Sequence, residues 1–465
     1  MTKPPDQLTQ PHDQLKRVLG LPTAILLVAG IMIGSGVFKK IVPMAQTLPD
    51  GSLILIAWIA AGIITMFGAF TYAGLSTMTT ETGGVYEYLR LMYGDFISFL
   101  FGWSIFTIFG SGALAALSFV FAQSVNTLIP LPFGAWGIKI LAVITIAVLT
   151  WFNCRGIRKG GILNNIVTSL KIVGILLLII AALLYSHAPA ATDAAPHAVS
   201  DPVAQPAAGW LSGFFGAMLS ALWAYDGWAN ITYITGEIRN PKRNVAYAII
   251  GGVSISMALY VLLNFGYTRV LSIGQLAALG ENKIAAAEVA GAIMGKTGTV
   301  TIGLLIMICT FSALNGCIIS YPRVYFRMAH EKVFFRNAGK VHPIALTPYV
   351  AMIYSALWSA VLVCTGTFDE ITNLIVFASY GYFGLAAFGL VREKRRGRIT
   401  SKVIGYPVVP WLIILFCAAL MINTIITQPS QSLIGLLLIL SGLPFYLYFK
   451  RRPPAEHQPP TGHPL

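Results

Sequence analysis

The sequence predicts an all-α integral membrane protein, and its composition and its apolar segments both favour that fold class. Hydrophobic residues make up 56% of the 465 residues, and charged residues only 10%. A soluble domain carries about 25% charged residues. The mean hydropathy is +0.74. Residues 1–20 are polar and lead straight into the first apolar segment, so no removable signal peptide is expected.

Apolar segments long enough to cross a bilayer recur along the whole chain, since a spanning helix needs about 20 mainly apolar residues. We predict twelve transmembrane helices, at residues 21–47, 53–78, 95–127, 136–153, 163–186, 210–236, 245–270, 297–325, 347–366, 369–391, 405–427 and 430–449. The third and eighth are long and are expected to tilt.

The basic residues predict the orientation of the chain. In a soluble protein a net charge of +14 would suggest a nucleic-acid partner. Here most of the 31 lysine and arginine residues fall in short loops between apolar segments. They lie on one side when both termini are cytoplasmic, as the positive-inside rule requires. We therefore predict a multi-pass protein of the cell (inner) membrane that binds no nucleic acid.

The first apolar segment is interrupted in its middle, where Ile33–Phe38 reads IGSGVF. Glycine costs about 1 kcal/mol relative to alanine inside a helix, and non-helical backbone at membrane depth occurs only where it is buried or lines a cavity. A half-helix beginning near Val37 would present free N–H groups and a positive dipole end to a small carboxylate. The alternative is close packing of two helices through small residues.

The sixth apolar segment is interrupted too, at Leu222–Trp228, where a glycine lies beside an acid. Two interrupted helices at corresponding places in two halves of a chain indicate the binding site of a transporter. Asp226 could bind a cation or a substrate ammonium, or it could cap the next half-helix. Trp223 could close over a ligand, or it could be ordinary aromatic packing.

Lys171 lies about eight residues into the fifth apolar segment, where a charge costs about 2.5–3.5 kcal/mol. We interpret it as a buried ammonium that holds the carbonyl ends of the broken first helix, a place where other transporters put a sodium ion. The alternative is a side chain that reaches back to the membrane surface. Lys39 and Lys40 are expected to reach an outer vestibule. Tyr260 must find an interhelical hydrogen bond.

Motifs typical of enzymes are missing from the sequence. It contains no HExxH, P-loop or nucleophile-elbow pattern and no CxxC pair, and its seven histidines fall in predicted tails and loops. We therefore predict that the chain is not an enzyme, and we expect no metal site and no cofactor.

Together these features resemble the L-type amino acid transporter branch of the amino acid–polyamine–organocation superfamily. The matching motifs are spread over the first ten segments: Ile33–Phe38, Thr82–Tyr88, Lys171, Trp223–Trp228 with Gly236–Pro241, Tyr260–Asn264, and Asn315-Gly316 before Arg323.

The resemblance implies two inverted five-helix repeats in which helices 1 and 6 are discontinuous. The implied organisation is a cytoplasmic tail at 1–20, repeats at 21–186 and 210–391, an extracellular loop at 187–209, a basic cytoplasmic loop at 392–404, spans 11 and 12 at 405–449, and a cytoplasmic tail at 450–465.

The resemblance also implies roles for individual residues around a central amino acid. The N–H groups of Ser35 and Gly36 would bind its carboxylate, and carbonyls near Met32, Trp223 and Asp226 its ammonium. Trp223 would be the outer gate, Lys171 would replace a sodium site, and Tyr260 would have a coupling or structural role. The full substrate-binding set is Met32, Ile33, Gly34, Ser35, Gly36, Trp223, Ala224, Tyr225 and Asp226.

The sequence departs from the pattern of the family that it resembles, and Lys39-Lys40 is among the unusual features. Ala229 follows the Asp-Gly-Trp motif, where relatives often have asparagine. Animal members join a single-span partner through a cysteine in the outer loop between spans 3 and 4. The corresponding loop here, Thr127–Trp136, has no cysteine, so we expect no disulfide-linked heavy chain.

The expected function is sodium-independent exchange or facilitated uptake of neutral L-amino acids by alternating access. The alternative is a proton-coupled symporter of amino acids or amines, in which Lys171 or Glu87 titrates. A non-transporting sensor or a membrane enzyme would need an effector domain or a catalytic cluster, and neither is visible in the sequence.

Overall fold

The computed structural model describes residues 17–48, 50–185, 210–279, 283–366 and 368–450. The predicted amino-terminal tail up to residue 16, the predicted loop 187–209 and the predicted tail from residue 451 lie outside the described residues.

The described residues are almost entirely helical. The α-helices are α1 (Leu21–Met32), α2 (Gly36–Lys39), α3 (Ile41–Thr47), α4 (Gly51–Leu75), α5 (Val85–Tyr93), α6 (Asp95–Ser104), α7 (Gly110–Leu128), α8 (Ala135–Cys154), α9 (Ile157–Leu184), α10 (Trp210–Tyr225), α11 (Pro241–Val270), α12 (Ile273–Ala277), α13 (Ala285–Ser320), α14 (Pro322–His330), α15 (Tyr349–Thr365), α16 (Phe368–Arg395), α17 (Val408–Thr427), α18 (Pro429–Leu440) and α19 (Gly442–Lys450). A π-helical segment at Ile105–Phe109 joins α6 to α7.

Ten helical stretches in the described part of the chain are long and apolar enough to cross a membrane. Helix α15 is apolar but has only 17 residues. Helix α10 has 16 residues because its chain path is interrupted at Asp226. The count of membrane-crossing stretches is therefore ten and not the predicted twelve, because α10 and α15 are too short to be included.

Some helix ends differ from the predicted limits. Helix α13 spans Ala285–Ser320, but Gly295 within it has a non-helical φ of +61° and ψ of −148°. Two helices therefore meet at Gly295, and the second begins close to the predicted start at 297. Helix α9 begins earlier than predicted, at Ile157.

Helices α1, α7 and α13 lie at the centre of the bundle, and outer helices surround them. Ala29, Leu114 and Leu314 from these three helices are fully or almost fully buried. Large apolar side chains on the outer helices are exposed instead, for example Leu177 on α9 and Leu415 on α17. An exposed apolar surface of this kind matches a lipid environment, in which helix faces need not be polar.

Both predicted interruptions are present. Helix α1 ends at Met32 and the next helix begins at Gly36. Helix α10 ends at Tyr225, and a turn at Asp226-Gly227 follows. The continuation, Trp228–Glu237, is a 3₁₀-helix rather than the expected α-helix. The hydroxyls of Thr232 and Thr235 donate to carbonyls three residues earlier, which suits that tighter winding.

Candidate functional site

A small cavity lies where the two interruptions meet. It has a volume of about 30 Å³, which is room for roughly two water molecules. An amino acid does not fit, so the site is closed in this conformation. The lining residues are Ile31, Met32, Gly34, Ser35, Gly36, Ala113, Leu117, Trp223, Asp226, Gly227, Cys317 and Tyr321.

The side chain of Lys171, on α9, holds the carboxyl end of α1. Its Nζ donates to the carbonyl oxygens of Gly30 at 2.5 Å and Ile33 at 3.0 Å, and to Ser312 Oγ at 3.3 Å. Lys171 is 0% exposed, so a reach back to the membrane surface is wrong. The last carbonyls of a helix have no intrahelical partners, and a cation there is favoured by the helix dipole. The ammonium therefore uses all three of its N–H groups.

The hydroxyl of Tyr260, on α11, connects the two broken helices. It lies 2.6 Å from the carbonyl oxygen of Met32 and 3.0 Å from that of Ala224. Each carbonyl belongs to the end of an interrupted helix. One hydroxyl within hydrogen-bond distance of both ends fixes their separation, which agrees with the interhelical bond expected for this tyrosine.

The two interruptions approach each other so closely that glycine is required at their contact. A Cβ atom on Gly36 would lie 2.5 Å from Ala224 Cα. Gly227 has a φ of +98°, and a Cβ there would lie 2.6 Å from a side-chain carbon of Ile31. A left-handed φ favours glycine, so the second turn depends on Gly227 for its backbone as well as for space.

Two polar side chains, those of Ser35 and Asp226, face this contact. Ser35 Oγ is buried and has no hydrogen-bond partner among the described residues. Asp226 lines the cavity, and its carboxylate lies at the backbone N–H of Gly227, the N-cap residue at the start of the following 3₁₀-helix. Both interpretations of Asp226, as a ligand and as a helix cap, therefore stay predictions.

The structure places the predicted site residues in two groups. Six of them line the cavity directly, namely Met32, Gly34, Ser35, Gly36, Trp223 and Asp226. The other three face away from it: the carbonyl of Ile33 accepts from Lys171, that of Ala224 lies against Tyr260, and the hydroxyl of Tyr225 donates to the carbonyl of Trp58 at 3.2 Å.

The expectation for Lys39 and Lys40 needs correction. Both side chains are buried rather than extended into a vestibule. Lys39 Nζ donates to Gln123 Oε1 at 3.4 Å, and Lys40 Nζ donates to Thr372 Oγ1 at 3.0 Å. These bonds tie the helices after the first interruption to α7 and α16.

Several residues of the site were not predicted from the sequence. Ala113 and Leu117 come from α7, Cys317 from α13 and Tyr321 from the junction of α13 and α14. Apolar residues in the middle of an apolar helix carry no separate sequence signal. Ser312, which accepts a hydrogen bond from Lys171, was also not predicted. It did carry a sequence signal, because its hydroxyl lies in the same helix as Asn315 and could have been noted as a polar partner.

A network of ion pairs closes the side of the molecule that carries most of the basic residues, which we call the basic face (Arg90, Arg239, Arg327, Arg392 and Lys450). Glu87 is almost fully buried, and its carboxylate accepts from Arg90 at 3.0 Å and from Arg327 at 2.5 Å. Arg327 also pairs with Glu331 at 2.9 Å. Partial burial acts to lower the pKa of Arg90, but the carboxylates of Glu87 and Glu331 outweigh it and raise that pKa.

A second buried pair lies beside this network. Arg323 Nε donates to Glu237 at 2.8 Å, and both side chains are at most 2% exposed. The pair connects α14 to the end of the 3₁₀-helix that follows the second interruption. Breaking such a pair on one side leaves an uncompensated buried charge, so this pair stabilises the contact between α14 and the 3₁₀-helix.

Backbone contacts reinforce that closure. The peptide N–H of Gly83 donates to the carbonyl of Tyr233 at 3.2 Å. A Cβ on Gly84, whose φ is +49°, would lie 2.2 Å from Thr232 Oγ1. The N–H groups of Val18 and Leu19 both donate to the carbonyl of Glu237. The segments before α1 and before α5 therefore pack against the continuation of α10.

A comparison with known families decides the assignment. Residues 19–447 match the family model described as amino acid permease. The chain belongs to the amino acid permease family. The resemblance to the L-type branch is confirmed, and members of this family are transporters rather than enzymes. The family and the helices together support amino acid transport by a multi-pass membrane protein.

Individual permeases in the comparison are similar over nearly their whole length. The serine/threonine exchanger SteT of Bacillus subtilis (strain 168) is 31% identical over 446 residues, covering 94% of this chain and 98% of SteT. The human b(0,+)-type amino acid transporter 1 is 29% identical over 441 residues, or 94% and 88% of the two chains. The mouse large neutral amino acids transporter small subunit 2 is 26% identical over 445 residues, or 94% and 82%.

Proposed function

We propose that this permease moves neutral L-amino acids across the membrane without sodium, by exchange or facilitated uptake with alternating access. The observation that carries the proposal is the meeting of two opened helices at one cavity, with Lys171 bonded to the carbonyl end of the first. Support also comes from the serine/threonine exchanger SteT, which is similar over 94% of this chain.

The proposed binding mode uses the backbone groups that the interruptions leave open. The N–H groups of Ser35 and Gly36 stand at the start of a helix, where they lack intrahelical acceptors and suit a carboxylate. The carbonyls of Met32, Trp223 and Asp226 are proposed to bind the ammonium group. That of Trp223 accepts one bond, from the N–H of Asp226, and can accept a second. That of Met32 already lies near the N–H of Gly34 and the hydroxyl of Tyr260, so the ammonium would replace one of these donors. Trp223 lines the cavity and is proposed as the gate that moves aside for substrate.

The conformation described here is closed, and alternating access requires it to open on two sides in turn. Substrate entry requires the two helix ends to separate, because the present space holds only about two waters. Release on the basic face requires the pairs Glu87–Arg327 and Glu237–Arg323 to part, since they bridge α5 and the 3₁₀-helix to α14. We propose that these two openings alternate.

Sodium independence follows from the position of Lys171 in this proposal. Its ammonium already satisfies the carbonyls of Gly30 and Ile33, where a cation would otherwise sit. Uptake of radiolabelled serine, alanine and leucine into proteoliposomes, with sodium replaced by choline, tests it. We expect saturable uptake that is equal in the two salts. No saturable uptake with or without internal amino acid would contradict transport, and uptake lost in choline would contradict sodium independence.

Asp226 favours a second candidate, proton-coupled symport of amino acids or amines. It places a carboxyl group in the cavity wall, whereas Glu87 is bonded to two arginines and is not among the lining residues. An inward pH gradient imposed on proteoliposomes without internal amino acid separates the two functions. Accumulation above the equilibrium level would favour the symporter, and its absence favours the exchanger or facilitator.

The topology remains part of the proposal. We propose twelve transmembrane helices, in which the interrupted α10 and the short α15 also cross the membrane. The inverted repeats are proposed at 21–186 and 210–391. The protein is proposed to lie in the cell (inner) membrane with both termini in the cytoplasm. The loop after α7 contains no cysteine, which supports transport without a disulfide-linked heavy chain.

A further inference from the structure

A groove on the outer surface of the helix bundle lies well away from the substrate cavity. It has a volume of about 360 Å³ and is lined only by apolar and aromatic side chains. Four of them come from α15, one from the π-helical segment and one from the loop before α15. The lining residues are Phe106, Phe335, Tyr354, Leu357, Trp358 and Val361.

The groove runs along an outward face of α15, which we proposed above as one of the helices that cross the membrane. Leu357 is 63% exposed and Val361 is 46% exposed. From Tyr354 to Val361 the helix rises roughly 10 Å, which suits part of an extended acyl chain. Trp358 is fixed as one wall, because its Nε1 donates to the carbonyl of Thr107 at 3.1 Å and its ring stacks on that of Phe106.

Basic residues follow Phe335, which lies at one end of this groove. A 3₁₀ turn, Arg336–Gly339, begins directly after it, and both Arg336 in that turn and Lys340 after it are exposed. The ring of Phe335 also lies 5.5 Å from that of Phe449, next to exposed Lys450. The stretch 332–366, which contains most of the groove, has no aspartate or glutamate.

We propose that this groove binds one anionic phospholipid, with an acyl chain along α15 and the phosphate on Arg336 and Lys340. The apolar lining matches a hydrocarbon chain, and the two cations match the headgroup. Basic pockets at the membrane surface bind anionic lipids in this way, at about 1 kcal/mol for each lysine or arginine. The bound lipid would cover the aromatic cluster beside α19 and brace α15 against the π-helical segment.

Native mass spectrometry of the full chain in detergent tests the site. Dioleoyl phosphatidylglycerol and dioleoyl phosphatidylcholine share their acyl chains and differ in charge, and the apparent affinity for the first bound lipid is measured for each. We expect tighter binding of phosphatidylglycerol. The double variant Arg336→Gln/Lys340→Gln should bind phosphatidylglycerol about thirtyfold more weakly, with phosphatidylcholine unchanged. A matched control, Arg239→Gln/Lys402→Gln, removes two other exposed charges and should change neither.

A separate variant tests whether the apolar part of the groove binds the acyl chain. Leu357→Trp fills the groove and should weaken both lipids about tenfold or more. Leu177→Trp makes the same change on α9 at a site 62% exposed, and it should have no effect. Equal affinity for the two lipids in the wild type would overturn the proposal. The proposal would also be overturned if the double charge variant bound the two lipids with the same affinities as its control, or if Leu357→Trp and Leu177→Trp had the same lipid affinities. All of these sites are exposed, and thermal unfolding confirms that each variant is folded.

Discussion

Two parts of the molecule bind cationic side chains in different ways. At the centre, Lys171 is bonded to backbone carbonyls and a serine hydroxyl. At the basic face, Arg323 and Arg327 are bonded to the carboxylates of Glu237 and Glu87. Lys171 and the end of α1 can move together without breaking these bonds, whereas the carboxylate pairs join separate elements and must part when the basic face opens. We infer that the bonds of Lys171 stay intact through the transport cycle and that the ion pairs of the basic face break and re-form.

Replacement of Lys171 by alanine should have the largest effect on the central region. The carbonyls of Gly30 and Ile33 lose their donor, and unpaired buried groups cost about 1–3 kcal/mol each. We expect radiolabelled uptake to fall to background and the free energy of unfolding to fall by about 3 kcal/mol, while the protein still inserts. Lys139→Ala is the matched control, because Lys139 also donates to a backbone carbonyl, that of Cys364, but at the surface. Wild-type turnover in Lys171→Ala would contradict a supporting role for the lysine.

A methyl group at Gly36 should separate the two interruptions. The new Cβ would lie 2.5 Å from Ala224 Cα, so backbone must shift, at a cost of about 1–3 kcal/mol. We expect uptake to fall more than tenfold in Gly36→Ala. Gly216→Ala in α10 is the control, since a Cβ there has no neighbour within 4 Å. Equal uptake in the two variants would show that the close approach is not needed for transport.

Loss of the Glu87 carboxylate should loosen the basic face instead of the centre. In Glu87→Gln, two arginines lose their counter-charge, which should lower stability by about 2 kcal/mol. The cavity should then open more often toward that side. Peptide mapping after maleimide treatment can follow this opening, because Cys317 lines the cavity and is buried in the closed state. We expect Cys317 to be labelled several times faster.

Glu393→Gln is the control for that experiment. Glu393 is fully buried and pairs with Arg392, Arg396 and Arg398, but it lies at the end of α16, away from the cavity. It should lose stability without faster labelling of Cys317. If both variants expose Cys317 alike, the effect is general destabilisation and the distinction between the two regions fails.

The smallest effect is expected at Tyr260. Tyr260→Phe removes one hydroxyl that lies between the carbonyls of Met32 and Ala224, worth about 1 kcal/mol, and uptake should fall roughly three- to tenfold. Tyr267→Phe on the same helix is the control, because the Tyr267 hydroxyl is buried without a hydrogen-bond partner in the described structure. That variant should be as stable as the wild type or slightly more stable. Identical uptake in the two variants would remove Tyr260 from the central support.

Much of the local structure could be predicted from the sequence. The interruption at Ile33–Gly36 follows from glycines in an apolar helix, and the burial of Lys171 follows from its depth in an apolar segment. The 3₁₀ continuation after Asp226 was not predicted, and its packing partners, such as Gly84 against Thr232, are far away in the chain. The burial of Lys39 and Lys40 could not be predicted either, since their acceptors on Gln123 and Thr372 are far away in the chain.

The sequence alone determined that the chain is helical and membrane-embedded, where two helices open, and which family the protein resembles. Each of these depends on apolar length, glycine or charge within a short stretch. Only the tertiary structure decided which groups meet: that Lys171, Ser312 and Tyr260 converge on the two helix ends, and that Glu87 and Arg327 join across the basic face. Those contacts bring together residues far apart in the chain, and their geometry is set by how the helices pack.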